Sequence, residues 1–156
     1  PEPQFIDQRL IRCARKIVTV KRERYQYTPA HIKFHHEGKM QDSSNFLTSA
    51  GYDSGGGAGI QADLKTIMAL GGYGMSVIAA LTAQNGQGVT GIHAPDPDFV
   101  ALQLCTVLDG FPVAAAKTGM LFSAPIIKAI APILRKRDFP LVVDPVSISQ
   151  SGSVLL

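Results

Sequence analysis

The sequence has no apolar run approaching the roughly 18–20 residues that a helix needs to cross a bilayer, so a membrane-spanning helix is not expected. Its opening, Pro1-Glu2-Pro3-Gln4, has no basic stretch leading into an apolar one, so no secretory leader is expected there. Cysteine is scarce. Cys13 and Cys105 have neither metal nor redox spacing, and reduced thiols in a cytosolic protein are the plain expectation. His31, His35 and His36 include an i, i+4 pair, but no acid or cysteine completes a metal set, and His93 has no partner that the sequence can name. Acidic and basic residues are also sparse, at 17% of the chain together, which argues against a solvated, charge-rich disordered polymer.

What the chain does have is apolar material: 46% of its 156 residues, enough to pack one core. Its net charge of +3 is unevenly spread. Residues 1–45 carry nine Lys/Arg against five Asp/Glu, whereas residues 46–156 carry six against seven. The basic character therefore belongs to an N-terminal extension, residues 1–45, with little expected structure beyond a short amphipathic helix over Ile6–Val20. A basic arm can bind nucleic acid or an acidic surface. A solvated tail is the plainer reading, so a nucleic-acid partner is not expected. Met40, just ahead of the first convincing element, reads as a candidate start of translation, with residues 1–39 as an upstream extension. N-terminal peptides from residues 1–39 in cell extract would refute that reading.

The character changes at Phe46. Phe46–Ala50 reads as a strand, Gly51–Gly57 as a glycine-rich loop, and Ala58–Leu70 as a helix with Ile60, Leu64, Ile67 and Met68 on one face. Gly71-Gly72 should end that helix. Met75–Ala83 is a continuous apolar run, as suits a strand buried on both faces. Asp96-Pro97 caps and starts a helix running to about Leu108. Val113–Lys117 reads as a strand, and Ser123 caps a helix reaching Arg137, with an interior Pro132 expected to kink it. Leu141–Asp144 is a last strand ending in a carboxylate. Strands alternating with helices indicate an α/β fold with a mostly parallel sheet. Ligands bind such sheets beyond the carboxyl ends of the strands. That rule selects Gly51–Gly59, Gln84-Asn85, Gly119-Met120 and Asp144–Val146.

Among these, the glycine cluster is the strongest signal. Glycines let backbone approach a ligand, and free N–H groups at a helix start suit anionic or accepting atoms. Two nucleotide motifs fail. A P-loop requires Lys-Ser/Thr after the glycines, and none is present. Gly57, Gly59 and Ala62 match a degenerate dinucleotide form, but the next strand ends Thr82-Ala83-Gln84-Asn85 without the acid a ribose needs. Gln84 offers donors and an acceptor in one plane, suited to the edge of an aminopyrimidine or pyridine ring, or else to loop capping. Met120 can pack softly against a flat ring or fill core. Asp144 can help hold Mg²⁺ and phosphates, or cap the next segment of chain. Asp63 and Lys65 read as solvated or locally paired.

The segments Leu47–Thr66, Tyr73–Ile78, Leu81–Asn85, Lys117–Leu121 and Val143–Val146 resemble, in order and approximate spacing, the hydroxymethylpyrimidine/phosphomethylpyrimidine kinases of the ribokinase-like superfamily. Pyridoxal kinases are the nearest confusable group. The resemblance covers residues 46–156, as the N-terminal half of such a kinase domain. It implies a ribokinase-like α/β fold and Mg²⁺- and ATP-dependent phosphorylation of 4-amino-5-hydroxymethyl-2-methylpyrimidine and its monophosphate in thiamine biosynthesis. It places Gly57 and Ala58 against the ring, Gln84 at its edge, Met120 and Val146 beside it, and Asp144 toward phosphates and metal. A homodimer is compatible with it. The family's ATP pocket, anion hole and catalytic base lie in its second half, so residues 1–156 alone are expected to be inactive and marginally folded. A partner-binding or pyrimidine-binding fragment without catalysis is the reading from another class. Ser49 stands where the family usually has an aliphatic residue, and Tyr52 where it has Ser or Thr. Beyond Val146, Ser147–Ser153 replaces the family's Met and Lys-Ser-Gly-Asp.

Overall fold

The structure, a computed structural model, describes residues 35–36, 39–40 and 44–146. The expected helix at Ile6–Val20, the expected solvated arm and the departures over Ser147–Ser153 lie outside those residues. Within the N-terminal extension, His35–His36 (β1) and Lys39–Met40 (β2) form a two-residue antiparallel pair. The main sheet has five strands: Asn45–Asp53 (β3), Tyr73–Asn85 (β4), Gly88–His93 (β5), Ala115–Thr118 (β6) and Leu141–Val143 (β7). Their order is β5-β4-β3-β6-β7. All neighbours are parallel except the β4–β5 hairpin. Three helices connect the parallel strands: Gly59–Ala69 (α1), Pro97–Gly110 (α2) and Ala124–Arg135 (α3).

The caps agree with the sequence. Asp96 accepts from Asp98 N at 2.9 Å ahead of Pro97, and Ser123 accepts from Ile126 N at 3.4 Å. α1 closes as expected, with Gly71 N donating to Met68 O and Gly72 N to Ile67 O, the paired bonds of a Schellman motif. α3 runs through Pro132, which faces solvent.

The core lies on one face of the sheet. Leu47, Met75, Val77, Ala79 and Ala116 from the strands meet Val100 and Leu104 of α2 and Ile126, Ile130 and Leu134 of α3. Side chains alternate across a strand, so Thr48, next to Leu47, points to the opposite face and reaches Asp63 of α1. The sheet is therefore sandwiched between α1 and the α2–α3 pair, the layering expected of parallel strands.

Four expectations need correction. β3 extends three residues into the supposed loop, through Gly51, Tyr52 and Asp53, because these pair with Ala80, Leu81 and Thr82 of β4. β5 was not expected. Its Gly88–His93 stretch interrupts Val89, Thr90 and Ile92 with two glycines, a weakened strand signal, yet it pairs with β4 from Leu81 to Asn85. β4 is not buried on both faces throughout, since Leu81 is 38% exposed where the strand runs out beside the hairpin. Finally, Met68 is 63% exposed. The inward face of α1 runs through Ile60, Asp63, Leu64 and Ile67, and an apolar scan cannot see that Asp63 belongs to it.

Candidate functional site

The carboxyl ends of four parallel strands carry, in spatial order, Gln84 (β4), the glycine loop (after β3), Gly119-Met120 (after β6) and Asp144–Val146 (after β7). All the residues selected from the sequence therefore lie along one edge of the sheet, and specific contacts join neighbours on it.

The glycine loop is folded around Asp53. This residue is only 5% exposed. Its Oδ1 accepts from Gly55 N at 2.8 Å, and its Oδ2 accepts from Gly57 N at 2.9 Å and Ala58 N at 2.8 Å. Gly56 N donates to the Asp53 carbonyl at 3.0 Å. The expectation that these N–H groups face a ligand is thus corrected: the chain's own carboxylate takes those of Gly55, Gly57 and Ala58. Asp53 N in turn donates to Gln61 Oε1 at 2.9 Å. Ala58 is the N-cap of α1 and receives no side-chain cap. Gly59 lies at φ +54, and a Cβ there would stand 2.1 Å from the Gly51 carbonyl oxygen, so only glycine lets α1 start this close to β3.

Gln84 is fastened to the same loop. Ser54 Oγ donates to the Gln84 carbonyl at 2.7 Å and accepts from Gln84 N at 2.7 Å. Thr82 Oγ1 stands 2.9 Å from the Tyr52 carbonyl and 3.1 Å from Gln84 Oε1. Upstream, Ile78 pairs with Ala50 and Ala80 with Gly51, leaving Ala79 as a bulge in β4. Gln103 of α2 accepts from Ile78 N and donates to Ile78 O, so the strand beside the bulge is held from the helix layer. A bulge re-aims the side chains beyond it, and Gln84 is beyond it.

Met120 leans on β3. A Cβ at Gly51 would come 2.5 Å from Met120 Cε, so the missing side chain at Gly51 is what admits the methionine. Gly119 N donates to Ser49 O, and Asp144 N to Thr118 O, both at 2.9 Å. These backbone bonds set the end of β6 beside β3 and the end of β7 beside β6. Asp144 and Val146 are half-buried, and Val146 N donates to the Asp144 carbonyl. Asp144 stands at this edge with Asp53, whose oxygens the glycine loop takes up; no cluster of three metal-ligating side chains occurs among the described residues. A lone carboxylate fits Mg²⁺ held chiefly by substrate phosphates and water, not a dedicated protein cage.

Sequence reasoning missed a buried polar triad. Asp63 is 3% exposed, and its Oδ2 accepts from Thr48 Oγ1 at 2.5 Å. Its Oδ1 pairs with Lys117 Nζ at 2.7 Å, joining α1 to β6 across 54 residues of chain. The expectation of a solvated or locally paired Asp63 is corrected, since no spacing rule connects residues so far apart. Asp53 had a usable signal: Asp-x-Gly ahead of a turn favours a side-chain bond to the amide two residues on.

The family model described as phosphomethylpyrimidine kinase matches residues 53–156. The chain belongs to that family. It is 59% identical over 111 residues to a thiamine biosynthesis bifunctional protein of Geobacter sulfurreducens, covering 70% of this chain and 23% of that one. It is 54% identical over 110 residues to a hydroxymethylpyrimidine/phosphomethylpyrimidine kinase of Streptomyces coelicolor, covering 70% and 41%. Among solved structures, the phosphomethylpyrimidine kinase of Clostridium difficile superposes with a TM-score of 0.68 at 50% identity, over 73% of this chain and 50% of that one. A pyridoxal kinase of Staphylococcus aureus in complex with AMP-PCP gives 0.62 at 34%, over 72% and 41%. This phosphomethylpyrimidine kinase family chain thus has the ribokinase-like fold expected from its sequence. It spans less than half the length of the curated relatives it matches here.

Proposed function

We propose that residues 46–156 form the N-terminal, substrate-binding half of a kinase domain that phosphorylates 4-amino-5-hydroxymethyl-2-methylpyrimidine and its monophosphate, with ATP as phosphoryl donor, in thiamine biosynthesis. The observation that carries this reading is the single sheet edge on which Gln84, the Asp53-clamped glycine loop, Met120 and Asp144 stand side by side. Gly57 and Ala58 supply a surface against which a flat ring lies, and Gln84 its in-plane hydrogen bonds. Met120 and Val146 pack on the ring. Asp144 faces the phosphates and would hold Mg²⁺ together with them, and that ion would neutralise phosphate charge. The catalytic base, the anion hole and the ATP pocket belong to the second half of the family's domain, so residues 1–156 alone do not turn over. A cytosolic setting and a homodimer are parts of the same proposal.

The second reading, a pyridoxal-type kinase, rests on pyridoxal kinases at 34–37% identity. The proteins named as phosphomethylpyrimidine kinases, at 49–54%, favour the first. The experiment is a thermal melt of the chain with and without hydroxymethylpyrimidine, then with pyridoxal in competition. A ligand at 100 times its Kd stabilises a native site by about 2.7 kcal/mol, so the melting temperature rises visibly. A cooperative melt unmoved by the pyrimidine counts against the proposal, and one moved only by pyridoxal selects the second reading.

A further inference from the structure

We propose that Asp53 and Ser54, which need not touch the ligand, are positioning residues for substrate recognition: Asp53 sets Ala58, and Ser54 sets Gln84. The inference rests on the site reading given above and extends it to residues outside the recognition set.

The physical need comes from the loop's composition. Gly55, Gly56 and Gly57 are the least restricted residues in a chain, and fixing them costs more conformational entropy than fixing any others. Left alone, such a loop would not hold Ala58 in one place. One buried carboxylate removes that freedom by accepting the N–H groups of Gly55, Gly57 and Ala58. Bonds to an ionised acceptor are stronger than neutral ones. The clamp is itself held at both ends. Asp53 is the last residue of β3, paired with Thr82, and its N–H is taken by Gln61 in the first turn of α1. Strand, loop and helix start are thereby closed into one unit, with Ala58 at the junction.

Ser54 does the corresponding work for Gln84. The β3–β4 ladder ends at the Asp53–Thr82 pair, so Gln84 lies beyond the reach of β3. On its other side β4 pairs only with β5, through Gln84 and Val89 next to an irregularity in register. The Ser54 hydroxyl takes both backbone groups of Gln84, standing in for the ladder where β3 stops. The Gln84 side chain places its Oε1 3.1 Å from Thr82 Oγ1, whose one proton it shares with the Tyr52 carbonyl at 2.9 Å. Two adjacent residues thus hold the two principal recognition positions, one in the loop and one in the neighbouring strand. A recognition site gains affinity when its groups are ordered before the ligand arrives.

The test uses the isotopically labelled 156-residue chain, with hydroxymethylpyrimidine as probe. Asp53→Asn keeps the shape but replaces one accepting oxygen with an NH₂ group, so all three N–H bonds cannot persist. Ser54→Ala removes the hydroxyl. Thr90→Ala is the control, since it deletes another exposed hydroxyl bond in the same region, from Thr90 to the Ala83 carbonyl. The expected loss of pyrimidine affinity is roughly tenfold or more for Asp53→Asn and several-fold for Ser54→Ala, with none for Thr90→Ala. Without ligand, the Ala58 amide resonance moves in the first variant and the Gln84 resonances in the second. Affinities matching the control overturn the proposal, and so do unmoved resonances. If Asp53→Asn loses its cooperative melt, Gln61→Ala, which releases only the Asp53 N–H, carries the same comparison. Should the unaltered chain bind no pyrimidine while the resonances move as stated, the functional reading fails and the positioning geometry stands, so the two failures are told apart.

Discussion

The two sides of the sheet are built to different standards. β3 and β4 run for nine and thirteen residues and pair from Asn45–Tyr73 to Asp53–Thr82. β6 and β7 run for four and three and pair only from Ala116–Leu141 to Thr118–Val143. On the first side the backbones of Gln84 and Ala58 are held by the side chains of Ser54 and Asp53. On the second, Asp144 and Val146 come after a short edge strand whose Val143 is 63% exposed. The glycine loop and Gln84 are therefore cross-linked by side-chain bonds, whereas Asp144 and Val146 follow a strand of three residues. The difference is one of order: long paired strands with a clamped loop on one side, and two short strands on the other.

The largest test of that contrast is the bond that ties the two sides together. Asp63 and Lys117 are both largely buried, with side chains 4% and 14% exposed. Removing one partner strands the other, at a cost of about 3–5 kcal/mol. Asp63→Ala should lower the denaturant midpoint accordingly, and Asp63→Leu combined with Lys117→Met should recover much of the loss. If the single variant proves as stable as the unaltered chain, α1 and β6 are not coupled through this pair.

A smaller effect sharpens the first side alone. Gly59→Ala meets both a positive φ and the Gly51 carbonyl at 2.1 Å. Strain and overpacking together should cost about 2–4 kcal/mol. Gly86→Ala, with nothing within 4 Å of the added carbon, is the matched comparison and should stay within about 0.5 kcal/mol. Equal costs at the two positions would mean that the α1–β3 junction is looser than its geometry. The smallest effect is expected on the second side. Val143→Lys changes an exposed position on an edge strand, so stability should shift by no more than about 0.5 kcal/mol while solubility improves. A large destabilisation there would show that β7 is more firmly integrated than its three residues suggest.

Much of the fold was legible in advance because local chemistry announced it. Asp96-Pro97 and Ser123 mark helix starts, Gly71-Gly72 marks a helix end, and the apolar stretches at Met75–Ala83 and Leu141–Asp144 mark strands. The strand-end rule then picked residues that the strand order sets along one margin of the sheet. The limits were equally local. Gly51–Asp53 reads as loop because glycine and aspartate disfavour strands, yet β4 supplies partners that extend β3 through them. Gly88–His93 carries Val89, Thr90 and Ile92 but is interrupted by two glycines, and it forms a strand by lying against β4. Asp63 reads as surface because a charge on a helix usually is, and nothing in its neighbourhood announces Lys117.

The sequence by itself determined the alternation of strands and helices, their caps, the family and the residues offered at the strand ends, because periodicity, capping and turn chemistry act over a few residues. Only the tertiary structure decided what those residues do to one another. It gave the N–H groups of the glycine loop to Asp53, Gln84 to Ser54, and Asp63 to Lys117. Such pairings depend on which strands come to lie side by side, and buried polar groups then take whichever partner that arrangement brings within reach.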